Sequence, residues 1–328
     1  METISIGHGA GGRLTEDLVS TILGNFPGRP VADREDCALL PGGLAMTIDG
    51  YTVTPPDFAG GNIGSLCICG SANDLAVRGA KPLYIALAVI AEEGFPLSSL
   101  SRYMESAGEI CEMIGIELVT GDTKVVPKGQ ADGLFLTTCA VGKTRSSSKL
   151  GTANISPGDS IIITSPPGMH GATIAAVRYG LNVHGLFSDC AALWPMIEEM
   201  LPIEGIRCMR DCTRGGLGTV MCEWAESAGV GIEIDETLIP WDEASLSVCD
   251  LLGLDPLHMA GEGCAALVVS AEKTEEVLAA ARNNPLGKRA SLIGSVTEAH
   301  PGYVGIHTLS GGTRLVDKPV GEELPRIC

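Results

Sequence analysis

Between Lys143 and Ser160 the chain reads "KTRSSSKLGTANISPGDS", polar and rich in serine, glycine and proline, with apolar segments on both sides. That break constrains the fold more than any other feature. A chain of 328 residues is too long for one compact core, and a passage of this kind is where such a chain divides. The expected organisation is residues 1–150 as one domain and residues 151–316 as a second. Residues 317–328, "DKPVGEELPRIC", hold two prolines, several charges and no periodicity, and read as a flexible arm. Fully stretched, an arm of that length reaches about 40 Å.

Within the first part, "TISI" predicts a short strand running into "GHGAGG", and Leu14, Leu18 and Ile22 then fall at helical spacing. Strands are predicted around Cys37–Leu40, Leu44–Ile48 and Tyr51–Thr54. A helix rich in small residues follows at Ile63–Val77, then a buried strand in "PLYIALAVIAEEG". Leu100, Tyr103, Met104, Ala107, Ile110 and Ile114 share one face of a helix over Leu97–Ile114, and strands follow at Glu117–Val126 and Gly133–Val141. The second part opens with a strand at Ser160–Thr164. Helices come next at His170–Tyr179, Ala191–Met200 and Thr219–Ala228, and strands end near Val316. Strands and helices mix without a strict strand–helix–strand period, which favours α+β over a doubly wound sheet.

The longest apolar run, "LYIALAVIA" at Leu83–Ala91, is far short of the roughly 20 residues of a membrane span. The opening residues show no basic region followed by a long apolar one, so a cytoplasmic location is expected. Twelve scattered cysteines fit a reducing compartment, and Cys67 and Cys69 lack the partners that a zinc site needs. A net charge of −18 argues against nucleic acid. It also means that any phosphate-bearing ligand needs a metal cation or backbone donors to offset repulsion.

"GHGAGG" places Gly7, Gly9 and Gly12 in a dinucleotide-type spacing, with Asp33 or Asp36 downstream. No clear strand runs into either acid, so a glycine turn or another backbone anion cradle is the better reading. A nicotinamide-dependent oxidoreductase stays as an alternative. "VGKT" ends like a phosphate loop, but the first glycine of that motif would fall on Thr137. More informative are five aspartates in similar settings: Asp36, Asp49, Asp74, Asp122 and Asp211, most of them beside an apolar segment and a small residue. Any one alone is a cap or turn residue. Together, without a cation, they would repel one another and raise each other's pKa values. Bridged by Mg²⁺, they would form a platform for nucleotide phosphates.

"HGAGG", "GGNIGSLCICGSANDLAVRGAKP", "VTGDTKVVPKG", "SDCAAL", "MRDCTRGG", "GEGCAALVV", "NPLGKRASLIG" and the terminal "PRIC" occur in this order along the whole chain. Together they resemble the HypE family of hydrogenase maturation proteins, with "TGDTKVV" and "PRIC" the most specific elements. The resemblance implies a PurM-like α+β fold of two domains, the first ferredoxin-like and dimerising. It implies Cys328 as a thiol that receives a carbamoyl group from a HypF-like carbamoyltransferase. ATP then drives dehydration to a thiocyanate, and the cyano group passes to iron on a HypC–HypD complex. By the same resemblance Glu262 and Lys124 are the groups for proton removal and charge stabilisation, and Asp49, Asp74 and Asp122 hold Mg²⁺. Asp36, Asp211, Asn73 and Thr123 join the ATP and Mg²⁺ site, and His8, Gly9, Gly11 and Gly12 form the loop over the phosphates. Met169, Gly50 and Cys212 depart from the family pattern. Within the same fold, a selenophosphate synthetase-like or thiamine monophosphate kinase-like enzyme of small molecules is the alternative. The N-terminal catalytic cysteine of the former has no counterpart in the glycine-rich loop here.

Overall fold

A computed structural model describes residues 3–9, 13–26, 35–145, 150–319 and 326–328. Helix α1 (Arg13–Leu23) precedes a five-stranded sheet. The first strands are β1 (Ala38–Leu40) and β2 (Leu44–Tyr51), followed by a two-stranded turn, β3 (Asp57–Phe58) and β4 (Gly61–Asn62). Helix α2 (Ile63–Val77), β5 (Ala80–Glu92), α3 (Leu97–Ile114), β6 (Glu117–Val126) and β7 (Leu134–Thr144) complete this part. The sheet order is β1-β2-β7-β5-β6, with β5 and β6 parallel and the other pairs antiparallel. Strand β6 is therefore an edge, and nine of its ten residues are exposed.

Helix α2 explains how this layer packs. Asn62 caps it, its side chain accepting from the backbone N–H groups of Gly64 and Ser65. Thirteen of its residues are buried, so it behaves as a central rod rather than an amphipathic surface helix. Small residues let neighbours approach: a Cβ on Gly64 would lie 1.9 Å from the Tyr103 carbonyl oxygen of α3. On its far side α2 meets the second half of the chain. Asn73 donates to the carbonyls of Ala191 (3.0 Å) and Glu262 (3.2 Å), and accepts from Leu193 N–H at 2.8 Å.

The second part is built from β8 (Ser160–Ile163), α4 (Met169–Arg178), α5 (Trp194–Met200), β9 (Ile206–Asp211), α6 (Gly216–Ala228) and β10 (Gly231–Asp235). It continues through α7 (Glu243–Leu252), β11 (Ala265–Val269), α8 (Thr274–Asn283), β12 (Ser291–Thr297), β13 (Val304–His307) and β14 (Thr313–Val316). The seven-stranded sheet runs β14-β13-β10-β12-β8-β11-β9. Ile161, Ile163, Val268 and Trp224 of α6 share a core on one face. Ile162, Met209 and Leu267 pack with α5 and α8 on the other. Residues of β8 and β11 are buried throughout, as strands covered on both faces must be. No helix among the described residues is long and apolar enough to cross a membrane.

The α+β arrangement in two parts is as expected, and α2, α3 and β6 keep their expected bounds. Three expectations need correction. No separate strand covers Tyr51–Thr54, because β2 runs from Leu44 to Tyr51 and the ladder with β7 ends there. Residues 3–6 do not form a strand: a 3₁₀ turn covers Ile6–Gly9, because Ser5 N–H bonds to His8 Nδ1 at 3.1 Å and curls the chain on itself. The described ends of the arm are also docked rather than extended into solvent. Lys318 is buried and pairs with Glu16 (3.0 Å) and Glu226 (2.6 Å). Residues 326–328 lie along residues 52–54: Thr52 N–H donates to the Cys328 carbonyl (3.0 Å) and Thr54 N–H to that of Arg326 (3.3 Å).

Candidate active site

Four aspartates from distant parts of the chain face one another where the two sheets meet. Asp36 lies just before β1, Asp49 on β2, Asp74 on α2 and Asp211 at the end of β9. One carboxylate oxygen from each of Asp36, Asp74 and Asp211 lies within 4.8 Å of the others. Thr47 Oγ1 donates to Asp74 at 2.6 Å, and Ser71 Oγ to Asp49 at 3.4 Å. Burial pushes the Asp74 carboxyl well above the usual carboxylate range, and Asp49, Asp211 and Asp36 push it further. Asp211 is raised in the same way, by burial and then by Asp36, against the pull of Arg210. Burial also raises Asp36, and Arg210 opposes it through Nε at 3.0 Å and a second nitrogen at 2.9 Å.

An oxygen of Asp36 and one of Asp211 are buried and carry no hydrogen-bond partner. Clustered carboxylates with orphaned oxygens and no soft donor among them suit a hard divalent cation such as Mg²⁺. Beside them opens a cavity of about 400 Å³, lined by the four aspartates together with Arg210 and Arg214 and closed by Thr15, Glu16 and Val19 of α1. A smaller space of about 40 Å³ adjoins it and shares Asp49, Asp74, Asp211, Thr213 and Arg214. Glu262, Gly50, Tyr51, Gly70 and Cys328 complete its wall. The terminal cysteine thus sits against the acid cluster. Glu262 is 2 % exposed, with one carboxylate oxygen unpartnered. Burial, followed by Cys190, Asp211 and Asp189, raises its pKa well above normal, while Arg214 lowers it.

Other expected residues lie elsewhere. Asp122, Thr123 and Lys124 stand on the exposed edge strand β6 and line neither of these two acid-lined cavities. Asp122 pairs with Lys124 at 2.6 Å, which holds its carboxyl below the usual range. Asn73 is a bridge between the two parts rather than a cavity wall. His8 bonds to Ser5, and its carbonyl accepts from Thr15 of α1, so the turn it belongs to abuts the cavity's lid. Gly9 lies on that turn; Gly11 and Gly12 fall outside the described residues. Arg210, Arg214 and Asp189 were not singled out from the sequence. The first two sit within "MRDCTRGG", where two cations inside an otherwise acidic setting were the available signal.

The family model for the AIR synthase related protein N-terminal domain matches residues 34–144, and that for the C-terminal domain matches residues 156–307. The carbamoyl dehydratase HypE of Escherichia coli K12 is 41 % identical over 338 residues, covering 100 % of both chains. The chain belongs to the HypE family. A HypE chain solved in a HypE–HypF complex superposes with a TM-score of 0.89 at 38 % identity, covering 94 % of this chain and 100 % of that one. A HypE crystal structure in complex with ATP gives 0.85 at 37 % identity, covering 99 % and 100 %. The two matched segments hold the five-stranded sheet and all of the seven-stranded sheet but β14, and the acid cluster lies between them.

Proposed function

We propose that this protein uses ATP and Mg²⁺ to remove water from a carbamoyl group carried on its own Cys328, leaving a thiocyanate. The observation that carries the reading is the position of Cys328 in one small space with Asp49, Asp74, Asp211 and Glu262. In the balanced step, the thiocarboxamide oxygen attacks the γ-phosphorus of ATP and ADP departs. The C–O bond then breaks, inorganic phosphate leaves, and two N–H protons are lost as the nitrile forms. Phosphorylation turns a poor leaving group into a good one. Bound Mg²⁺, held by Asp36, Asp74 and Asp211 with Asp49 beside them, would neutralise charge on the transferring phosphoryl group. Glu262, with its raised pKa and unpartnered oxygen, suits removal of one proton. Arg214 borders both cavities, where it can face phosphate and carbamoyl oxygen together.

Asp122 and Lys124 enter this reading through a homodimer. Edge strand β6 exposes Leu118, Val119 and Val125 to 55, 52 and 70 %, an apolar edge of the kind that a second copy covers. A HypF-like carbamoyltransferase would load Cys328, and a HypC–HypD complex would take the cyano group to iron for a [NiFe] hydrogenase, in the cytoplasm. Intact-mass spectrometry tests the central step. The protein is incubated with the transferase and carbamoyl phosphate, and Mg-ATP is then added. A carbamoyl adduct that loses one water supports the reading; the same sequence of masses in Cys328→Ala defeats it.

A further inference from the structure

The seated tail is gripped by a buried histidine that also holds the loop of Glu262. His170, in the first turn of α4, is 0 % exposed, with Phe58 edge-on to its ring at 4.9 Å. Its Nε2 lies 2.9 Å from the Ile327 carbonyl, and its Nδ1 lies 2.8 Å from Ser188 Oγ. The Ile327 carbonyl can only accept, so in a neutral ring Nε2 carries the hydrogen, and Ser188 Oγ, which accepts from Cys190 N–H at 3.0 Å, donates its own to Nδ1. Nδ1 therefore accepts, and Nε2–H donates to the tail. Burial pushes this imidazole down to about 4, consistent with a neutral ring.

The backbone of the same residue continues the network. His170 N–H donates to Asp189 Oδ1 at 3.1 Å; Glu262 N–H donates to that oxygen and Gly263 N–H to Oδ2, each at 3.1 Å. The loop has no slack here, since a Cβ on Gly263 would lie 1.8 Å from the Asp189 carbonyl oxygen. Arg178, at the other end of α4, donates to the carbonyls of Thr54 (2.6 Å) and Arg326. One helix thus contacts the tail through two side chains and reaches the Glu262 loop through two backbone amides, that of His170 by way of Asp189 and that of Gly171 directly at the Ala260 carbonyl (2.8 Å).

We propose that His170 is a positioning residue that couples seating of the tail to the placement of Glu262: its Nε2–H holds the Ile327 carbonyl, and so Cys328, in the acid-lined space. When the tail leaves, that N–H loses its partner inside the protein, which favours return of the tail. The consequence for catalysis rests on the dehydratase reading; the grip itself does not.

Two substitutions separate the two ring nitrogens. Asparagine reproduces the position of Nδ1 and glutamine that of Nε2. In the full chain without nucleotide, labelling of Cys328 by iodoacetamide is followed by peptide mass spectrometry. His170→Asn should accelerate labelling about tenfold, the change expected from one lost hydrogen bond, and His170→Gln should stay within about twofold of the parent. Equal rates for the two variants, with buried Cys249 still protected, overturn the proposal. If His170→Asn does not fold, ¹⁵N spectroscopy of the parent decides: an Nδ1–H tautomer at His170 is fatal to it, and the Nε2–H tautomer supports it. Amide exchange at residues 261–263 should rise in His170→Asn only. On S-carbamoylated protein with Mg-ATP, His170→Asn should also slow water loss about tenfold. If the parent itself loses no water, the dehydratase reading fails and the labelling result stands.

Discussion

Asp74 and Asp211 hold protons more tightly in the folded protein than in the unfolded chain, because burial and their neighbours disfavour a second and third negative charge. The sign of the stability effect follows. Where the native state binds more protons, stability falls as pH rises. The metal-free protein should therefore lose melting temperature as pH climbs above about 4, where unfolded carboxyls titrate. Mg²⁺ should restore it, with protons released on binding. Calorimetry in two buffers of different ionisation enthalpy measures that release, and none at any pH above about 4, where ordinary carboxyls are already ionised, would contradict the picture. Asp74→Asn removes one of the competing charges. It should stabilise the metal-free protein at neutral pH, seen as a higher melting temperature, while abolishing the Mg²⁺ effect and ATP-driven turnover. At this scale the sequence was a partial guide. Asp36, Asp49, Asp74 and Asp211 were found because each lies beside an apolar or small residue, the mark of a polar group held at the edge of a core. Asp122 carries the same mark but falls on an edge strand, because local pattern does not say which strand lacks a neighbour. Asp189 was passed over since its role, accepting three backbone N–H groups, depends on loops far away in sequence.

Helix α2 connects local sequence to the site more directly than any other element. Its glycines and serines give weak helix propensity, yet they let α3 and β2 close in so that Asp74 faces Asp49 and Asp211. A Cβ at Gly64 would overlap the Tyr103 backbone carbonyl, which cannot swing aside. Gly64→Ala should accordingly cost about 3 kcal/mol or more, beyond the ordinary 1–3 kcal/mol of overpacking, read as a lower urea midpoint at unchanged slope. A loss below about 0.5 kcal/mol would mean that α2 and α3 have freedom to slide. The bounds of α3 were legible from its apolar face and those of α2 from its run of small residues; the Asn62 cap and the left-handed Gly115 that ends α3 are seen only in the structure. The turn at residues 6–9 was not. Isoleucines at positions 4 and 6 alternate like a strand, but the His8 ring captures the Ser5 amide and no strand among the described residues pairs with it.

At the scale of the whole molecule, the polar passage around residue 150 falls between the last strand of one sheet and the first of the next, β7 stopping at Thr144 and β8 starting at Ser160. Strand order was beyond reach, because pairing depends on side chains brought together only by folding. The order matters for Asp122 and Lys124: placed on the outer edge, they line neither acid cavity of their own chain. If they serve catalysis, they must do so from a second copy, and this can be separated from service within one chain. Asp122→Asn and Asp74→Asn should each be inactive as pure proteins. Mixed in equal amounts and allowed to exchange, half of the dimers become mixed. In a mixed dimer one site joins the intact Asp74 of one copy to the intact Asp122 of the other, and the second site has neither. The mixture should therefore recover about a quarter of parental water-loss activity, the share set by two-fold symmetry. Were the two aspartates to act within one chain, every site in the mixture would lack one of them and no activity would return. A Val119→Lys and Val125→Lys background, which charges the exposed apolar edge of β6, should abolish the recovery and reduce the light-scattering mass to that of one copy. Recovery that persists in monomers would refute the shared site.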